Sequence, residues 1–185
     1  GTIVPSNTVN NSYTKGQETN KTVDGIIYDG LNHTAKTMSW KLTADAIKEQ
    51  VTALTITDTF APANSMVFMA DSLRVQKSDG TLVSAATYAL TDNKKGGFVL
   101  TFNGALDRAK YEIYYKTSFD PDEVLANGGT LNNISTRYTN NAAFSVTTVD
   151  VKGNTKTINQ PSSAYYDINQ TVFNGGKKDA DLDKA

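Results

Sequence analysis

Residues 51–60 read VTALTITDTF. Side chains along a strand point alternately to opposite faces. Leu54 and Ile56 therefore share one face, and Asp58 falls on that same face. An apolar strand face that ends in a carboxylate sets two questions: what sheet it belongs to, and what stands opposite the acid.

The flanking sequence is β-like throughout. Upstream, "NKTVDGIIYDG" (20–30) alternates loosely, and "TAKTMSWKLTAD" (34–45) puts Met38, Trp40 and Leu42 on one face of a half-buried strand. The "DAIKEQ" stretch (45–50) fits one helical turn. Downstream, turn signals at Ser78-Asp79-Gly80 and across 93–97 mark two hairpins. "AKYEIYYKTSF" (109–119) puts Tyr111, Ile113 and Tyr115 on one side, "DPDEVLANGG" (120–129) is a loop with one helical turn, and "STRYTNNAAFSVTTVDV" (135–151) is the longest strand. "SAYYDINQTVF" (163–173) is one more. Short strands at regular spacing, with no helix long enough for a βαβ unit, predict an all-β, antiparallel, immunoglobulin-like sandwich. In this reading 1–18 is a lead-in strand or arm and 19–151 is the sandwich domain. Residues 152–174 supply its final strand, and 175–185 are a polar tail or a linker to a next domain.

Composition narrows the function. The chain has 185 residues, enough for one large domain or two small ones, and a net charge of -1 with no cluster of Lys and Arg, which argues against a nucleic-acid surface. No apolar run approaches the ~20 residues of a membrane span, so no membrane insertion is expected of this chain. Gly1 reads as a leftover of expression, and the chain as an excised piece of a longer protein. There is no cysteine, which excludes disulfides, thiol nucleophiles and Cys-based zinc sites. The single histidine, His33, sits in the polar turn "GLNHTAK" and reads as an exposed loop residue. No metal and no cofactor are expected. The Asp179, Asp181, Asp183 run lacks the turn glycine and distal Glu of a calcium loop. Tyr111, Tyr114 and Tyr115 read as sheet packing rather than a sugar platform. The triplet Asn133-Ile134-Ser135 matters only in a eukaryotic secretory setting.

Asp58 is one of three polar groups on apolar faces. Lys21 shares its face with Val23, and Asn140 shares its face with Tyr138, Ala142, Phe144 and Val146. Burying any of them alone is costly. Buried together they suit one reaction, amide formation between the Lys21 amine and the Asn140 side chain. A dry core lowers a lysine pKa and raises a carboxyl pKa. A neutral amine is a nucleophile, and a protonated Asp58 polarises the amide carbonyl and shuttles protons to departing ammonia. Asn141 adjoins Asn140 and is the alternative partner, although its face carries Ala143, Ser145 and Thr147.

The ordered set "NKTVDG", "MSWKLTAD", "LTITDTF", "YEIYYKTSF" and "YTNNAAFSV" resembles the collagen-adhesin-type immunoglobulin-like domain of Gram-positive surface adhesins and pilins. The resemblance runs roughly from Thr19 to Val151. It implies a self-formed isopeptide cross-link from a first-strand lysine to a late-strand asparagine, assisted by an acid, with Lys21, Asn140 and Asp58 in those places. It also implies a structural or adhesive domain on the bacterial cell surface, anchored through a missing C-terminal segment. Its partners would be neighbouring domains and a host extracellular-matrix protein or glycan. The chain lacks the Tyr-Pro-Lys-Asn motif of major pilins and a Leu-Pro-x-Thr-Gly sorting signal. Two rival readings are a ligand-binding adhesin domain working with a missing neighbour and a carbohydrate-active enzyme. The enzyme needs two carboxylates facing one cleft; the chain has four Glu and no acidic pair that stands out. An enzyme with turnover is not expected.

Overall fold

The strands predicted around residues 51–60 assemble into two antiparallel sheets. The structure, a computed structural model, describes residues 10–120 and 135–169. The strands are β1 (Ser12–Gln17), β2 (Lys21–Val23), β3 (Ile26–Tyr28), β4 (Thr37–Asp45), β5 (Gln50–Ala61) and β6 (Met66–Lys77). They are followed by β7 (Tyr88–Asp92), β8 (Phe98–Phe102), β9 (Lys110–Phe119), β10 (Ser135–Val149) and β11 (Thr155–Asn169). One sheet has the order β1-β4-β9-β6 and the other β11-β10-β5-β8-β7, with β2-β3 as a separate hairpin. This is an all-β, antiparallel, immunoglobulin-like sandwich. The loop and helical turn expected at 120–129, the acidic run at 179–183 and the tail lie mostly or wholly outside the described residues.

The strands form because period-2 patterning gives each one apolar face. On β4, Met38, Trp40 and Leu42 are fully buried, and on β10 so are Tyr138, Phe144 and Val146. The inner faces of both sheets join in one core that also takes in Tyr13 of β1 and Tyr166 of β11. Trp40 is the largest fully buried side chain among the described residues. Its indole N–H donates to Thr117 Oγ1 at 2.9 Å, and its ring meets Tyr166 edge-on at 4.9 Å. A buried indole needs such a partner, because an unmade hydrogen bond in the core costs about 1–3 kcal/mol.

Several local expectations change. The 45–50 stretch makes bends rather than a helical turn, and its bends are tied by the Asn11 side chain, which accepts from the N–H groups of Lys48 and Glu49. The turn at 78–80 is made, with the Lys77 N–H donating to the Thr81 carbonyl at 2.9 Å and the Val83 N–H to the Val75 carbonyl at 2.9 Å, but its return arm forms only a bridge between Gln76 and Leu82, whereas 93–97 closes a full β7-β8 hairpin. That hairpin needs Gly97. Its φ is +88°, and a Cβ there would lie 1.8 Å from the backbone oxygen of Asp58. The last strand begins at Thr155, well before residue 163, and pairs with β10 along its length. Pro161, which has no N–H to donate, is tolerated because β11 is an edge strand.

The lead-in segment supplies β1, paired with β4 from Ser12↔Asp45 to Gln17↔Trp40. The β2-β3 hairpin lies on the outside of the first sheet. It turns through Asp24 and Gly25, both at positive φ, and covers Tyr114 with Val23 and Tyr28. Tyr28 is fully buried there and donates to the Ser72 carbonyl at 2.5 Å.

Candidate cross-link site

Four buried polar side chains meet between the sheets. The second sheet gives Asp58 from β5 and Asn140 from β10. In the β5-β10 ladder Asp58 is opposite Ala142 and Asn140 is opposite Phe60, so the two are diagonal neighbours on the inner face. The first sheet gives Lys15 from β1, opposite Leu42, and Tyr115 from β9, opposite Trp40. Asp58, Tyr115 and Asn140 are 0% exposed, and so is the Lys15 side chain.

The groups form one connected network. Lys15 Nζ donates to Asp58 Oδ1 at 2.9 Å and also to the Tyr115 hydroxyl. Tyr115 donates to Asp58 Oδ2 at 2.8 Å, and Asn140 Nδ2 donates to the Tyr115 oxygen at 3.0 Å. The Asn140 carbonyl oxygen is buried and has no hydrogen-bond partner among the described residues. Aromatic rings wall the site. Lys15 Nζ lies 4.6 Å from the Tyr115 ring centroid and 5.4 Å from that of Trp40, and Phe98 meets Tyr115 edge-on at 4.9 Å.

These walls set the electrostatics. Burial lowers the Lys15 pKa from 10.5 to about 8, against the attraction of Asp58, which favours the ammonium. Burial raises the Asp58 pKa from 3.8 to about 6, against Lys15 and Asn140, which favour the carboxylate. Desolvation thus outweighs pairing at both groups, and both move toward their neutral forms.

Two of the three residues predicted for this chemistry, Asp58 and Asn140, are brought together; the third is corrected. Lys21 is not at the site. It stands on β2 opposite Tyr28, half-buried, beside a shallow surface groove with Asp24 and Gln76. Lys21 and Val23 do share a face, but that face covers the outside of the first sheet. Lys15 holds the inner position instead. Asn141, the alternative partner, points to the outer face and is half-exposed, while Asn140 points inward. Sequence reasoning missed Lys15 and Tyr115. Lys15 carried a signal, since Tyr13 and Lys15 alternate with exposed Ser12 and Thr14. Tyr115 looked like packing, and its ring is packing; its hydroxyl is what joins the network. His33 is exposed as expected, and Tyr111, Tyr114 and Tyr115 are all buried, so they form no sugar platform. Among the described residues no group of three or more His, Cys, Asp or Glu could hold a metal ion. No helix among them is long and apolar enough to cross a membrane.

No family model matches the sequence, and no curated protein matches it. Among solved structures, the chain is similar to the collagen binding subdomain of the Enterococcus faecalis surface protein ACE, at 11% identity and a TM-score of 0.48 over 83% of this chain and 96% of that one. It is also similar to BcpA, the major pilin subunit of Bacillus cereus, at 12% identity and a TM-score of 0.46 over 84% of this chain and 40% of that one. A third likeness is to the collagen binding domain of the Erysipelothrix rhusiopathiae surface protein RspB, at 16% identity and a TM-score of 0.41 over 70% of this chain and 44% of that one. The chain thus spans less than half the length of the second and third.

Proposed function

We propose that the chain from β1 to β11 is a structural, adhesive domain of a bacterial cell-surface adhesin or pilus protein, locked by a self-formed isopeptide bond between Lys15 and Asn140. The observation that carries this reading is the enclosed Lys15–Asp58–Asn140 group, with an amine and an amide held around one acid in a dry core. The resemblance of the strand motifs to the collagen-adhesin-type domain supports it. The domain acts once on itself and has no turnover. Its setting is extracellular, on the bacterial surface, and its partners are neighbouring domains of the parent protein and a host extracellular-matrix protein or glycan.

The geometry supports a route to this bond. The reactive pair is a neutral Lys15 amine and a protonated Asp58, reached by moving one proton along the 2.9 Å contact. With ordinary pKa values of 10.5 and 3.8, that transfer crosses about 7 pH units, roughly 9 kcal/mol. Burial moves the two values toward each other, to about 8 and about 6, and so narrows that gap. Burial therefore raises the reactive population, and fixed placement supplies the effective concentration that an amide in water lacks. The Asn140 carbonyl oxygen has no hydrogen-bond partner among the described residues and is the acceptor that an acidic proton would meet. The amine then attacks the side-chain carbonyl carbon, Asp58 protonates the developing oxyanion, and ammonia leaves. The product removes a buried ammonium and leaves Asp58 neutral, so bond formation relieves the desolvation that both charges carry.

Intact-protein mass spectrometry tests the reading. The folded wild type is expected to weigh less than its sequence by one ammonia, and Asp58→Ala to regain the full mass. A wild-type mass equal to the sequence mass rejects the cross-link and leaves the sandwich standing.

A further inference from the structure

Building on the cross-link reading, we infer that the Tyr115 hydroxyl is a catalytic group of this reaction, carrying the proton from the attacking nitrogen to the leaving nitrogen. Amide formation must take a proton off Lys15 Nζ after it attacks and put one on Asn140 Nδ2 before ammonia can depart. Asp58 lies against the amine, but the hydrogen bond that Asn140 Nδ2 makes is to Tyr115. The Tyr115 oxygen is bonded to both reacting nitrogens and to the acid at once. Its placement is fixed from all sides: it pairs with Trp40 across β4-β9 and meets Phe98 and Phe68 edge-on at 4.9 and 5.9 Å. At 0% exposure the ring and its hydroxyl are shut off from bulk water, the usual proton carrier.

The protons balance through this one hydroxyl. Lys15 Nζ first gives a proton to Asp58 Oδ1, which leaves a neutral amine and a neutral acid. A protonated carboxyl no longer needs the Tyr115 proton on Oδ2, so the hydroxyl is free to turn toward Asn140. The amine attacks the Asn140 side-chain carbon; the new C–N bond forms and the carbonyl electron pair moves to oxygen, where the Asp58 proton meets it. Nζ then passes a second proton to the Tyr115 oxygen as Tyr115 passes its own to Nδ2. The old C–N bond breaks, ammonia leaves, the carbonyl re-forms and its proton returns to Asp58. Tyr115 ends unchanged, Asp58 ends protonated, and Nζ keeps one of its three protons.

The experiment follows ammonia loss with time after dilution of denatured, uncross-linked full chain into buffer, read by intact mass. Wild type, Tyr115→Phe and a chain with 3,5-difluorotyrosine at 115 are compared across pH, with circular dichroism recording that each has folded. Tyr115→Phe keeps the ring and its packing and is expected to fold and to lose ammonia about 100-fold or more slowly, the usual worth of a placed proton-transfer group. The fluorinated chain keeps both ring and hydroxyl but has a more acidic phenol, and its rate profile is expected to move to lower pH. A Tyr115→Phe rate equal to wild type overturns the relay, as does a fluorinated chain with an unmoved profile. If Tyr115→Phe fails to fold, the fluorinated chain decides. A wild type that never loses ammonia rejects the cross-link itself, a result distinct from both.

Discussion

Replacing Lys15 by Met removes the amine while keeping an unbranched chain of similar length in the slot between Trp40 and Tyr115. Without the amine no isopeptide forms, so the intact mass is expected to equal the sequence mass. The stability change can be worked from the topology. A tie between residues 15 and 140 closes a loop of about 125 residues, and in the chain-entropy model such a closure removes about 5 kcal/mol of unfolded-state freedom. In the cross-linked wild type the ammonium is already gone and Asp58 is neutral, and in the variant a carboxyl buried this deeply likewise takes up a proton rather than remain charged. The net expectation is a loss of about 5 kcal/mol in chemical denaturation. Lys21→Met is the control: Lys21 is half-buried on the outer hairpin, so its replacement should leave the mass deficit intact and change stability by only ~0.5 kcal/mol. Persistence of the ammonia deficit in Lys15→Met, or its disappearance in Lys21→Met, refutes the assignment of Lys15.

Three further outcomes are expected. In Asn140→Ala the bond cannot form and the buried ion pair persists; its Lys15 penalty is full below about pH 8 and gone above 10.5, while its Asp58 penalty is full above about pH 6 and gone below 3.8. Compared with the same protein also carrying Lys15→Met and Asp58→Leu, its stability should therefore be lowest between pH 6 and 8 and rise on either side by on the order of 3 kcal/mol; a difference that stays flat from pH 4 to 10 rejects the buried pair. Gly97→Ala drives a methyl group into the Asp58 backbone oxygen at a positive φ and should cost about 2–4 kcal/mol by denaturant titration while slowing ammonia loss; a neutral effect would mean that β8 does not press on β5 there. Under force applied at the chain ends, the tied wild type should release only residues beyond Asn140, roughly 100 Å across 141–169, whereas Lys15→Met should release roughly 500 Å in single-molecule pulling. Equal release from both would rule out a tie at these positions.

The sandwich was legible because its evidence is local. The faces of Met38, Trp40 and Leu42, of Leu54, Ile56 and Asp58, and of Tyr138 through Val146 follow from alternation alone, and each of these strands is long enough for alternation to mean something. The helical turn expected at 45–50 failed for a reason outside that window: Asn11, some 37 residues earlier in the chain, ties the Lys48 and Glu49 N–H groups and holds the stretch in bends. Propensity over six residues cannot compete with such a partner.

The site was legible only in part, and the division has a physical cause. Parity says which residues share a face, not what that face covers. For β5 and β10 the question did not arise, because strands of 12 and 15 residues with one apolar face have a core to fill. For Lys21 it did. A three-residue strand with one apolar neighbour can roof the outside of a sheet as readily as it can line the inside, and Val23 packs on Tyr114, a residue of β9 on the face that points away from the core. Lys15 was hidden by the reverse condition. Its strand has no large apolar residue but Tyr13, because β1 is an edge strand that touches the core with only two inward side chains, and one of them is the lysine. A buried lysine thus takes a core position that would otherwise hold an aliphatic residue, and in doing so it erases the apolar periodicity that would have marked the strand. The feature that sets Lys15 apart, its burial among aromatic rings, is the one that a pattern of hydrophobic residues cannot register.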